Sequence, residues 1–159
     1  LVALWQLRCI FTGGELPVWL KKLKFMATSC LLLTFMTVVL VLAPMNGEGG
    51  LYLLLWTSST RYHHLLNPLA ALFSYLLLER EPHLPRSDVR WALLPTLAYA
   101  AVILPLNILR VIVGPYPFFE VYHQPVYVSV LWAVGLLGVN YLYAWLLWRL
   151  GGGRPRSAR

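Results

Sequence analysis

Charge is scarce in this chain. Asp, Glu, Lys and Arg make up 12% of its 159 residues, while 59% are hydrophobic. A soluble globular domain carries about a quarter charged and about half apolar residues. The deficit excludes an ordinary soluble domain, and the apolar excess excludes a disordered one, which needs low hydrophobicity. Acidic residues are scarcer still: six, against thirteen Lys and Arg. Cysteine is nearly absent. Cys9 and Cys30 form no CxxC pair, so neither a disulfide framework nor a thiolate metal site is expected. No GxSxG, P-loop or GxGxxG motif occurs, which removes the hydrolase elbow and the common nucleotide cradles.

The apolar residues fall in blocks near the length of about 20 needed to cross a bilayer. The pattern predicts an all-α polytopic transmembrane helix bundle, a single integral membrane domain over residues 1–150. Four spans are expected, at residues 22–43, 62–78, 91–112 and 126–148. Residues 1–5 read as the remnant of a further helix. Residues 51–56 are too few to cross and read as an interfacial or re-entrant piece. Pro44 should stop the first span. Gly135 and Gly138 should be close-contact points on the last one. Residues 151–159 form a basic, flexible tail.

The charges assign sides. With four spans, residues 6–24, 79–90 and 149–159 share one side and hold eleven of the thirteen Lys and Arg; only Arg61 and Arg110 oppose them. The positive-inside rule puts the eleven, and the C-terminus, in the cytoplasm of a cell-membrane protein. Removing 62–78 as a span would split the bias. Trp91, Trp145 and Trp148 then mark the inner interface. Tyr116, Phe118, Phe119, Tyr122 and Tyr127 mark the outer one.

Polar side chains concentrate at the outer end. Arg61, His63, His64 and Asn67 open the second span; Asn107 and Arg110 close the third; Glu120 and His123 lie in the loop before the fourth. Polar groups at membrane depth are costly, which makes this cluster the candidate site. The plainer alternatives are specific. His64 and Asn67 can simply bond across helices, Arg110 can snorkel to the interface, and Glu120 can do no more than pair with it. Adjacent histidines lack the i, i+4 spacing of a helical metal pair, so no metal is expected. Among hydroxyls, Ser58, Ser59, Thr60 and Ser129 lie on the outer side. Thr28, Ser29 and Cys30 lie too near the cytoplasm. Thr34 and Thr37 are deeper, where a lone threonine usually bonds back to its own helix.

Three stretches resemble bacterial multi-pass proteins distantly similar to the androgen-induced-protein family. They are His64-Leu65-Leu66-Asn67-Pro68, Tyr116-Pro117-Phe118-Phe119-Glu120 and Asn140-Tyr141-Leu142-Tyr143. They cover residues 60–148 in the family's order. Residues 17–44, with Leu33-Thr34-Phe35 and Ala43-Pro44, resemble an uncharacterised bacterial branch. The resemblance implies a six-helix intramembrane hydrolase of fatty-acid esters of hydroxy fatty acids, using a Thr and a His. His64 matches the family's histidine, with His63 as the alternative. The family's Thr would fall before Leu1, so a truncated chain lacking its nucleophile is expected.

The leading expectation is therefore a hydrolase-like membrane protein acting on lipophilic acyl esters. Its catalytic residue would be His64, within a polar cluster of Asn67, Asn107, Arg110, Glu120 and His123. The competing expectations are a non-enzymatic binding or transport protein for a small lipophile, and a structural membrane subunit. The bilayer is the expected partner, nucleic acid is not, and no cofactor is expected.

Overall fold

A computed structural model describes residues 17–78, 84–113 and 116–151. The remnant at residues 1–5 and the tail beyond residue 151 lie outside them. Among the described residues the chain is all-helical, with 82% helix and no strand. Five helices organise it: α1 (Val18–Met45), α2 (Gly50–Trp56), α3 (residues 60–78), α4 (Arg86–Ile108) and α5 (Val126–Leu150). Three of them, α1, α4 and α5, are long and apolar enough to cross a membrane. Their outward faces carry large apolar side chains such as Leu40, Val102, Leu131 and Val134, a surface compatible with insertion in a membrane. The shorter α3 carries Arg61, His63, His64 and Asn67 in its first two turns and is not among the three.

Proline shapes the helices without ending them. Pro44 does not stop α1, which continues to Met45. Proline has no N–H and its ring crowds the carbonyl four residues back. The turn before Pro44 therefore widens over Val38–Leu42, and the Ala43 N–H reaches back five residues to the Val38 carbonyl. The same happens over Tyr62–Leu66 before Pro68, where the Asn67 N–H reaches Tyr62 O. α4 opens as a tight 3-10 stretch, Arg86–Leu93, several residues earlier than composition suggested. It ends at Ile108, short of the expected residue 112. There the Val111 N–H bonds Leu106 O at 2.9 Å and the Arg110 N–H bonds Asn107 O at 2.9 Å. Arg110 takes φ 58°, the left-handed position that usually belongs to glycine in this stop.

α1 is the hub, and every other helix packs on it. After α1 the chain reverses through Gly47 and Gly49, both at positive φ, where glycine carries no Cβ penalty. Gly50 then seats directly against the Ala43 carbonyl, with no room for a Cβ. This folds α2 back on the end of α1. α3 returns antiparallel to α1: its first turns lie beside α2. Its last turns meet the start of α1, where Lys24 Nζ donates to Ser74 Oγ at 2.9 Å and the Phe25 and Tyr75 rings are 6.0 Å apart.

The bundle thus has two ends. The basic end gathers Lys21, Lys22, Lys24, Arg86, Arg90 and Arg149 with Trp91, Trp145 and Trp148; the aromatic end gathers α2, the start of α3 and residues 107–126. The packed core lies at the basic end and consists of Phe25, Val89, Ala92, Ala144 and Leu147. Asp88, 3% exposed, sits there with both carboxylate oxygens near Lys22 Nζ, at 3.0 and 3.1 Å. The hydrogen bond goes to Oδ1, while Oδ2 takes the ion pair alone. Trp148 Nε1 ties α5 to Leu84 O at 2.8 Å. Gly135 and Gly138 are not contact points: a Cβ on either would meet nothing, because both face outward. The buried stripe of α5 is instead Asn140, Ala144 and Leu147, at the i, i+4, i+7 spacing of one helix face.

Candidate functional site

The widened turn ahead of Pro68 carries His64. Such turns recur at functional positions. Its ring is half-buried and its Nδ1 lies 3.0 Å from Leu54 O of α2. A carbonyl only accepts, so Nδ1 holds the proton in this contact and Nε2 is left as the ring's acceptor. His63 and Asn67 are exposed. His64 is thereby anchored to α2.

The other expected site residues form a separate constellation after α4. Asn107, 5% exposed, donates from Nδ2 to Ile112 O at 3.1 Å and accepts the Val121 N–H at 3.2 Å through Oδ1. The Arg110 guanidinium lies 4.5 Å from the Tyr122 ring centre, and the Tyr122 hydroxyl donates to Ile108 O at 2.6 Å. Glu120 and His123 pair at 2.8 Å, with His123 exposed. Gln124 Nε2 donates to Phe118 O at 3.1 Å and to Ser129 Oγ at 3.0 Å. Asn107 and Gln124 thus latch the loop at both ends. The latch holds a group of rings in place: Tyr116 stacks on Phe118 at 5.1 Å, and Phe118 meets Phe119 and Trp132 at 5.1 and 5.6 Å. Phe118, expected in an interfacial belt, is 8% exposed and forms part of a roof.

That roof covers a cavity of about 310 Å³ between α1, α4 and α5. Its sides are apolar, from Leu33, Val38, Leu42, Pro95 and Leu136; its polar lining is Cys30, Thr34, Thr37, Thr96, Tyr99 and Tyr116. Among the described residues no histidine, carboxylate or cationic side chain lines it. Apolar walls with a few placed polar groups are the usual makeup of a small-molecule site.

The floor rests on a three-helix clamp. Asn140 of α5 is fully buried. Its Nδ2 donates to Thr96 Oγ1 at 2.8 Å and to Ala92 O at 3.3 Å, both on α4. Its Oδ1 accepts from Ser29 Oγ of α1 at 2.8 Å. Cys30 Sγ approaches Thr96 Oγ1 at 3.7 Å. Thr34 Oγ1 bonds back to Cys30 O at 3.0 Å, as a helical threonine commonly does.

The clamp and the cavity were not foreseen from residue type. Cys30, which the sequence places near the cytoplasm, lines the floor, and Ser29 belongs to the clamp behind it. The available signal was Asn140, a lone amide in an otherwise apolar span of 25 residues, since such a group needs partners on neighbouring helices. Among the described residues no three His, Cys, Asp or Glu side chains come together as a metal site would need. No family model, no curated protein and no solved structure matches this chain, and its functional reading rests on the cavity and the two polar latches that frame it.

Proposed function

We propose that this chain is a polytopic membrane protein that binds a small lipophile, without turning it over, in the cavity between α1, α4 and α5. The observation carrying this reading is the lining. It combines apolar walls with neutral hydroxyl and thiol groups, and among the described residues it includes no histidine or carboxylate to act as a general base. A ligand can enter by partition from the bilayer, which already holds lipophiles at high concentration.

The reading includes four spans. α3 supports it by running beside α1 from the α2 junction to Lys24 and Phe25. With four spans the basic end is cytoplasmic and the cavity opens in the outer half of the membrane.

A Thr/His ester hydrolase is the second reading, favoured by one observation: the His64–Leu54 contact leaves Nε2 as a proton acceptor. Hydrolysis of a long-chain acyl ester that disappears in His64→Ala would move the assignment there.

The binding reading is tested by photolabelling the full chain in bilayers with a ten-carbon diazirine alcohol. Label should concentrate in residues 30–38 and 95–99 and fall in Leu136→Phe, which fills the cavity. Label spread evenly over the outward faces of the helices, and unchanged in Leu136→Phe, would contradict it.

A further inference from the structure

Resting on the binding reading above, we infer that the cavity selects an uncharged medium-chain alcohol, held with its hydroxyl down on the Thr96–Thr34 floor and its hydrocarbon under the aromatic roof. The hydrogen bonds of the floor lead to this. Thr96 Oγ1 already accepts from Asn140 Nδ2, so its own O–H remains to donate. Inside the clamp that proton faces only Cys30 Sγ at 3.7 Å, a weak acceptor. An oxygen in the cavity is a better one. Thr34 is the converse case. Its proton goes to Cys30 O, so it presents lone pairs to the cavity and can only accept. At the floor, one donor and one acceptor therefore face the same space, in addition to the Thr37, Tyr99 and Tyr116 hydroxyls elsewhere on the lining. An alcohol satisfies both, a ketone only the donor, and an alkane neither.

Charge and size narrow the class further. Among the described residues no ionic side chain lines the cavity, so a carboxylate or ammonium head would be desolvated with no charged partner among them. A water-sized group occupies about 30 Å³ of liquid volume, so the roughly 310 Å³ available holds about ten such groups. That is the size of a medium chain or a single substituted ring. The depth order is inverted relative to a membrane lipid. The hydrogen-bonding groups at Cys30, Thr34 and Thr96 lie towards the packed core, and Tyr116, Phe118 and Phe119 lie towards the interface.

The test uses the full chain in bilayers and a panel of ten-carbon diazirine probes that differ only in head group: alcohol, methyl ketone, alkane, carboxylate and amine. The alcohol should label residues 30–38 and 95–99 most strongly. The ketone should follow at about a fifth of that level, the ratio of one net hydrogen bond, and the other three should stay at background. Thr34→Val leaves the Asn140 clamp untouched and should bring the alcohol down to the ketone's level. Thr96→Val should lower both; because it also breaks the clamp, the Thr34→Val result decides if that variant does not fold. Equal cavity labelling by alcohol, ketone and alkane would overturn the head-group inference and leave the binding reading standing. Strong labelling by the carboxylate or amine would overturn it too. No concentration of label in the cavity by any probe would remove both.

Discussion

The two halves of the bundle are built on opposite principles although the same helices run through both. At the basic end small residues let helices touch. Ala92 and Ala144 are fully buried, Phe25, Val89 and Leu147 fill around them, and Asn140, Ser29 and Asp88 all find polar partners. At the aromatic end, beside the loosened turn before Pro44, a cavity remains between α1, α4 and α5, and a latched loop lines it with rings instead of filling it. Without a strong hydrophobic force between helices in lipid, association rests on close packing and interhelical hydrogen bonds. The basic end holds most of both, so it holds the bundle together and leaves the aromatic end free to keep a cavity.

Substitutions on α4 and α5 sharpen that contrast, because each of these helices passes through both regions. The largest effect is expected from Ala144→Leu. Overfilling a packed site costs about 1–3 kcal/mol, and with Ala144 fully buried the upper part of that range is expected in a denaturation assay in mixed micelles. Asn140→Leu comes next. It removes side-chain bonds to Ser29, Thr96 and Ala92; at about 0.6 kcal/mol each within a membrane, the same assay should show a loss near 2 kcal/mol. Asp88→Asn exchanges a part-buried ion pair for a neutral amide and should lose about 1 kcal/mol, reduced because Lys22 is partly exposed. Added salt should narrow the difference between that variant and the parent. Leu136→Phe lies on the cavity wall and should change stability by less than about 0.5 kcal/mol. A cost for Leu136→Phe equal to that of Ala144→Leu would break the comparison, since it would mean the aromatic half is packed as tightly as the basic half.

Much of the architecture was legible in the sequence because it follows from length and composition. The apolar runs expected at residues 22–43, 91–112 and 126–148 are each near or above the length of about 20 residues that a bilayer requires, and α1, α4 and α5 overlap them. The short apolar stretch at 51–56 reads as too short to span, and α2 is a seven-residue helix folded against α1. Helix ends were less legible, because they depend on backbone alternatives that residue type does not reveal. Pro44 widens α1 without stopping it, and Arg110 closes α4 in a position that composition assigns to glycine. The candidate site was legible in part. Asn107, Arg110, Glu120 and His123 do cluster, but their hydrogen bonds latch a loop, and His64 takes its own partner on α2. Reading polar residues by depth favoured the aromatic end, where they are dense. The cavity floor instead draws Cys30 and Thr34 from α1 and Thr96 from α4, tied to Ser29 and to Asn140 of α5 in the clamp behind them. Which of them meet depends on helix rotation, and a single sequence of such uniformly apolar spans carries little rotational signal.

The most direct measurement compares two threonines nine positions apart on α1. Thr28 is 1% exposed in the packed half, and Thr37 lines the cavity. With Cys9 and Cys30 replaced by alanine, each is changed in turn to cysteine, and its alkylation by N-ethylmaleimide is timed in bilayers with and without 1-decanol. The account predicts that Thr37→Cys reacts readily and is protected by the alcohol, while Thr28→Cys stays unreactive until the bundle is unfolded. Equal reactivity at the two positions, or reaction at Thr37→Cys that the alcohol leaves unchanged, would contradict it.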